Sequence, residues 1–221
     1  AEEKITVNGN VDLYAVVFNR TTETDLTEDQ LPQVDIYKYK QVIFVGDSRT
    51  EFMENVLTGM GESATKNVKF VCSAGKGLDW FTTTGWAQLY SIVQHDSNSI
   101  LSKKTAVIFN FGVNDLSKSA DYAEYYNWIA PQLKSKGCEL YFMSVNPVNR
   151  LMLPNAGRAD RSEAAVRSFN QYMKVNLSSA YTYIDMYSYL KSTGYSFASD
   201  HYGTGTVDDG LHYTTRTYKR I

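Results

Sequence analysis

From Gln41 onward five short apolar runs recur between longer amphipathic segments, and this alternation limits the possible folds more than any other feature. The runs cover residues 42–45, 68–71, 106–109, 140–145 and 181–184, and all are rich in branched and aromatic residues. Between them lie "EFMENVL", "WAQLYSIVQ", "DYAEYYNWIAPQLKSK" and "EAAVRSFNQYMKVNL", whose apolar residues follow a helical period. Strands without strict alternation are buried on both faces, and intervening helices supply the cover. The expectation is an α/β three-layer sandwich around a central, mostly parallel five-stranded sheet, spanning residues 41–221. The terminal "TTRTYKRI" reads as the start of a last helix.

Residues 1–40 stand apart. "ITVNGNVDLYAVVF" alternates apolar residues around Asn-Gly, a hairpin signal, and the polar "NRTTETDLTEDQLPQ" that follows reads as a linker. An N-terminal extension packed on the main domain is expected. At 221 residues, 43% hydrophobic and 21% charged, the chain is long and apolar enough for one sizeable core. A net charge of -2 with scattered Lys and Arg gives no basic stripe for nucleic acid. Apolar runs such as "AVIF" are far too short to span a bilayer. The chain begins "AEEKITV" without Met, as a trimmed, exported protein does, so a secreted or extracytoplasmic location is the expectation.

Cys72 and Cys138 lie in separate strand-like runs that the fold keeps apart, and both are expected as buried thiols. No Cys-x-x-Cys or His-x-x-x-His is present, so neither a metal nor a cofactor is expected. Seventeen Tyr, ten Phe and three Trp are an unusual aromatic load. Tyr suits half-buried positions and sugar-like ligands equally well.

Loops at the carboxyl ends of parallel strands build the ligand site of such folds. Those loops are Gly46-Asp47-Ser48, "SAGKG" at residues 73–77, "FGVND" at 111–115 and "NPVNR" at 146–150, with "DDGLHYT" at 208–214 near the end. Either Asp47 or Ser48 caps the following helix, or Ser48 acts as a nucleophile. A serine needs a base, and the base needs a carboxylate to orient it. His212 has Asp209 three residues upstream, a spacing one tight loop closes. Asp208 is the neighbouring alternative, His95 ends an amphipathic segment as a surface histidine would, and His201 lies in a polar loop. An acyl-transfer site also needs donors for an oxyanion. The Ser48 N–H at a helix start, a glycine of "GKG" and the Asn114 amide are available by position.

"FVGDSRT", "GKG", "FGVND" and "DDGLHYT", in this order, resemble the four signature blocks of the SGNH (GDSL) hydrolases. The resemblance runs from Gln41 to the C-terminus. It implies that family's flavodoxin-like sandwich, with Ser48 as nucleophile and Asp209 and His212 completing the triad. It also implies an oxyanion hole of Ser48, Gly77 and Asn114, with Gly75 the alternative to Gly77. Gly112 would give the turn, and Asp115 would be structural.

Two departures stand out. Arg49 follows the nucleophile where the family has an apolar or small residue; it either faces solvent or recognises an acidic substrate. Cys72 and Ser73 replace an Asn-x-Gly opening. The resemblance implies a serine esterase working through an acyl-enzyme on a small-molecule or glycan ester. Trp80, Trp86 and Tyr90 motivate an acylated carbohydrate. The alternatives are an acyltransferase, a lipase or thioesterase for short chains, and a non-catalytic glycan-binding domain.

Overall fold

A computed structural model describes residues 39–61, 66–95, 104–150, 153, 161–197 and 209–221. Strands β1 (Gln41–Gly46), β2 (Val68–Cys72), β3 (Thr105–Asn110), β4 (Cys138–Met143) and β5 (Tyr181–Ile184) form one sheet in the order β2-β1-β3-β4-β5. Every strand pair is parallel. Gly46 lies level with Cys72 on one side and Asn110 on the other, so β1, β2 and β3 end on one rim.

Alternate residues of each strand feed two different layers. On one face Ile43, Val45, Val107, Phe109, Leu140 and Phe142 are buried in the main core. That core is closed by α2 (Leu78–Trp80), a π-turn (Phe81–Gly85), α3 (Trp86–His95), α4 (Ser119–Ser135) and α5 (Glu163–Asn176). On the other face Met143 packs with Phe52 and Met53 of α1 (Ser48–Gly59) and with Met186 and Leu190 of α6 (Met186–Thr193). Tyr218 of the short α7 (Thr215–Tyr218) joins them. Each fully buried Val, Leu, Ile or Phe contributes about 1.5–3 kcal/mol, and this two-sided burial is why the strands read as continuous apolar runs.

The last part of the fourth run is not strand. β4 begins at Cys138 and stops at Met143, because Asn170 of α5 takes both polar groups of Val145. Its Oδ1 accepts from Val145 N at 2.7 Å and its Nδ2 donates to Val145 O at 2.8 Å. The side-chain amide thereby replaces a neighbouring strand.

The expected hairpin and linker fall within residues 1–38, which lie outside the described residues. Tyr39, placed by sequence in that extension, is buried, and its hydroxyl donates to Glu139 of β4 at 2.6 Å. Cys138 is buried as expected, but Cys72 on the edge strand is only half-buried, its Sγ directed at Glu54 Oε2 at 3.4 Å. Among the described tyrosines, Tyr122, Tyr126 and Tyr213 are fully buried in the core. Among the described residues no helix is long and apolar enough to cross a membrane.

Candidate active site

β1 delivers the chain to a sharp transition. Asp47 caps α1, its Oδ1 accepting from Arg49 N at 3.0 Å, and Ser48 is the first helical residue. Gly46 is required by space. A Cβ there would stand 1.9 Å from Thr50 Oγ1 and 2.8 Å from Asn110 O, so any side chain would separate the helix start from β3. Burial pushes the Asp47 carboxyl up to about 6, against the pull of Arg49.

Ser48 Oγ lies 2.9 Å from His212 Nε2, and His212 Nδ1 lies 2.6 Å from Asp209 Oδ2. Asp209 Oδ1 also accepts from Leu211 N at 2.9 Å and His212 N at 2.8 Å. Burial acts to raise the Asp209 pKa, but the hydrogen bonds from the His212 ring and these amides prevail and lower it. An ionised carboxylate only accepts, so the proton sits on Nδ1 and the Nε2 lone pair faces the Ser48 hydroxyl. Phe52, one turn along α1 from Ser48, meets the His212 ring edge-on at 4.4 Å. One helix face therefore presents the hydroxyl and packs the imidazole.

Arg49 is neither solvent-facing nor presented to a substrate, contrary to both expectations. It is 2% exposed, with Nε donating to Leu211 O at 2.9 Å. Its Nη1 and Nη2 each donate at 2.8 Å, to Asn146 O and Pro147 O. The guanidinium also lies 5.2 Å from the Tyr213 ring centre. The arginine thus fastens the loops after β4 and before α7 to the start of α1.

The second and third loops meet at Asn114 and Asp115. Asn114 Nδ2 donates to Lys76 O at 2.8 Å, and its Oδ1 accepts from Arg161 Nη2 at 2.7 Å. Asp115 accepts from Leu78 N at 2.9 Å and from the Tyr122 hydroxyl at 2.8 Å, which fits its expected structural part. A Cβ on Gly77 would lie 2.3 Å from Asp115 Oδ2, whereas Gly75 has open space and a φ of +69°. Gly77 answers a close approach and Gly75 a turn. Among the described residues no peptide bond is cis, so the C=O and N–H of the Lys76–Gly77 unit point in opposite directions. With Lys76 O turned to Asn114, the Gly77 N–H turns away from that amide.

The remaining candidates are elsewhere. His95 closes α3, which returns the chain towards the start of β3, away from the rim bearing Ser48. His201 and Asp208 lie outside the described residues. Trp80, Trp86 and Tyr90 pack against the main core. Arg161 and Phe52 were both missed: nothing in the local sequence marks Arg161, whereas Phe52 carries a signal in its place four residues beyond Ser48 on the same helix. Among the described residues no group of three or more His, Cys, Asp or Glu is placed to hold a metal ion.

Five parallel strands in this order, covered by helices on both faces, form a three-layer α/β sandwich, the fold of solved structures assigned to the SGNH hydrolases. A protein of Slackia heliotrinireducens assigned to the SGNH hydrolases has a similar structure. It matches at TM-score 0.55 with 14% identity over 82% of this chain and 94% of its own. A Bacteroides fragilis protein assigned as an acylhydrolase matches at TM-score 0.54 with 15% identity, over 96% of this chain and 93% of that one. An acetyl xylan esterase, AlAXEase, matches at TM-score 0.51 with 11% identity, over 81% and 94%. No family model and no curated protein sequence matches the chain.

Proposed function

We propose that the protein is a serine ester hydrolase working through an acyl-enzyme. The observation that carries this reading is the unbroken relay from Ser48 Oγ through His212 to Asp209, at 2.9 and 2.6 Å. Ser48 Oγ attacks the ester carbonyl while its proton passes to His212 Nε2. The imidazolium is stabilised by Asp209 and returns the proton to the departing alkoxide, leaving the acyl group on Ser48. Water then attacks that carbonyl, giving its proton to His212, and Ser48 leaves with the proton restored.

The carbonyl oxygen becomes negative in both steps. The Ser48 N–H at the start of α1 and the second proton of Asn114 Nδ2 stabilise it, each worth about 3 kcal/mol of barrier. Gly77 N–H joins them only after the Lys76–Gly77 peptide rotates, a motion that a glycine tolerates. The substrate is a small acyl ester, with an acetylated carbohydrate as the favoured class. The sandwich shared with an acetyl xylan esterase agrees with that class, whereas the packing of Trp80, Trp86 and Tyr90 on the core gives it no help. A non-catalytic binding domain would have no use for a closed relay of this kind.

The test is hydrolysis of p-nitrophenyl acetate and of acetylated xylose by the wild type and by Ser48→Ala. The wild type turns over, and the variant loses at least about 10⁴-fold in kcat while keeping its fold. Turnover retained in Ser48→Ala refutes the mechanism.

A further inference from the structure

We propose that Arg161 is a positioning residue of the oxyanion site, one that sets which end of the Asn114 amide faces the substrate. This rests on the hydrolase reading above. Arg161 is 8% exposed, and its Nη2 donates to Asn114 Oδ1 at 2.7 Å. It stands one residue before Ser162, the N-cap of α5, and the two residues that follow it are both held by side-chain bonds. Ser162 caps α5 by accepting from Ala165 N at 3.1 Å, and Glu163 Oε1 accepts from Val148 N at 3.1 Å.

The chemistry of the two partners assigns the amide without ambiguity. A guanidinium has donors only, and a backbone carbonyl has acceptors only. The Asn114 atom facing Arg161 is therefore its oxygen, and the atom facing Lys76 O is its nitrogen. Turning the amide over would set donor against donor and acceptor against acceptor. Lys76 O alone is a weak guarantee, because the peptide carrying it must rotate for Gly77 N–H to reach the same oxyanion. Arg161 keeps the NH₂ directed correctly through that rotation. Its charge also polarises the amide, making the Nδ2 protons stronger donors to a developing negative oxygen.

This predicts a particular kinetic signature. A donor misaligned at the oxyanion is lost from the transition state more than from the ground state, so kcat falls while KM holds. Arg161→Ala lowers kcat on p-nitrophenyl acetate by about tenfold or more, with KM within about twofold. Arg161→Lys recovers part of the loss, since an ammonium supplies one donor to Oδ1 without the planar fork. In an Asn114→Ala background Arg161→Ala costs less than about twofold, because the group it orients is already gone.

A second measurement is independent of turnover. NMR relaxation of the Asn114 side-chain amide reports an ordered group in the wild type and a mobile one in Arg161→Ala, with Arg161→Lys between them. Three results would each overturn the proposal. One is a full kcat penalty that persists in the Asn114→Ala background. Another is a raised KM with unchanged kcat, which would make Arg161 a substrate-binding cation. The last is an Asn114 amide equally ordered in Arg161→Ala. Failure of the hydrolase reading looks different: Ser48→Ala would keep its turnover, and the amide-order measurement would still judge Arg161.

Discussion

Arg49 Nε donates to the carbonyl of Leu211 at 2.9 Å, so the residue after Ser48 is tied to the residue before His212. Ser48 and His212 are 164 positions apart in the chain, and this bond holds them in register from behind. The same guanidinium satisfies Asn146 O and Pro147 O. A single buried side chain therefore sets three loops of the site relative to one another.

Removing that side chain takes the charged donor from Leu211 O, Asn146 O and Pro147 O, and only Pro147 O keeps another, the Tyr213 hydroxyl. Arg49→Met is expected to destabilise the protein by about 3 kcal/mol or more, since hydrogen bonds to a charged group are each worth about 1.5–3 kcal/mol. Arg49→Lys recovers only part, because one ammonium on a flexible stem cannot reach three carbonyls at once. Urea denaturation midpoints of the three proteins check this. Equal stability of wild type and Arg49→Met would remove the structural assignment.

Asp47 gives a stability prediction with a definite pH window. Its pKa is raised from the ordinary 3.8 to about 6, chiefly by burial. The folded state thus binds this proton more tightly than the unfolded state. Stability attributable to Asp47 falls as pH rises from about 4 to about 6, then levels off. Asp47→Asn keeps an oxygen for Arg49 N and removes the buried charge. It should stabilise the protein by about 2–3 kcal/mol at pH 7, with the gain vanishing below pH about 4. Denaturation curves at pH 4 and pH 7 test it, and a gain that grows on acidification would contradict it.

Asp209 works in the opposite sense. Its folded pKa lies below the ordinary value, so its stabilisation is present above pH about 4 and is lost as pH falls through the folded pKa. Asp209→Asn should lower kcat by about 10⁴-fold, because an amide can donate to Nδ1 and so select the wrong tautomer. Steady-state kinetics on an activated ester measure this. A loss below tenfold would mean that the imidazole orientation is set by Phe52 and the backbone alone.

Part of this arrangement was legible in the sequence, for a physical reason. Burial on both faces leaves unbroken apolar runs, so β1, β2, β3 and β5 were found nearly to the residue. Asp209 and His212 were legible because their contact is local, three residues apart. The early end of β4 was not, since Asn170 ends it from 25 residues away on another helix. Arg49 could not be placed because its partners are backbone carbonyls, which leave no residue type to recognise. Arg161 was hidden for a related reason: its bond to Asn114 spans 47 positions and has no local pattern. The divergence of the Gly77 N–H from the Asn114 amide is likewise a property of peptide orientation, which residue spacing does not encode.

Gly77 offers a last test, because its lack of a side chain has a specific neighbour as its cause. A Cβ there would stand 2.3 Å from Asp115 Oδ2, and that carboxylate is itself held by Leu78 N and the Tyr122 hydroxyl. It cannot swing away without breaking both bonds. Gly77→Ala is therefore expected to cost about 1–3 kcal/mol as overpacking. Asp115→Ala removes the obstructing carboxylate, at its own cost through the two donors left behind. In the double variant the Gly77→Ala penalty should shrink by at least about 1 kcal/mol, the coupling expected of residues in direct contact. Denaturation midpoints of the four proteins close the cycle. Strict additivity would show that the glycine answers a demand of the loop backbone instead of the approach of Asp115.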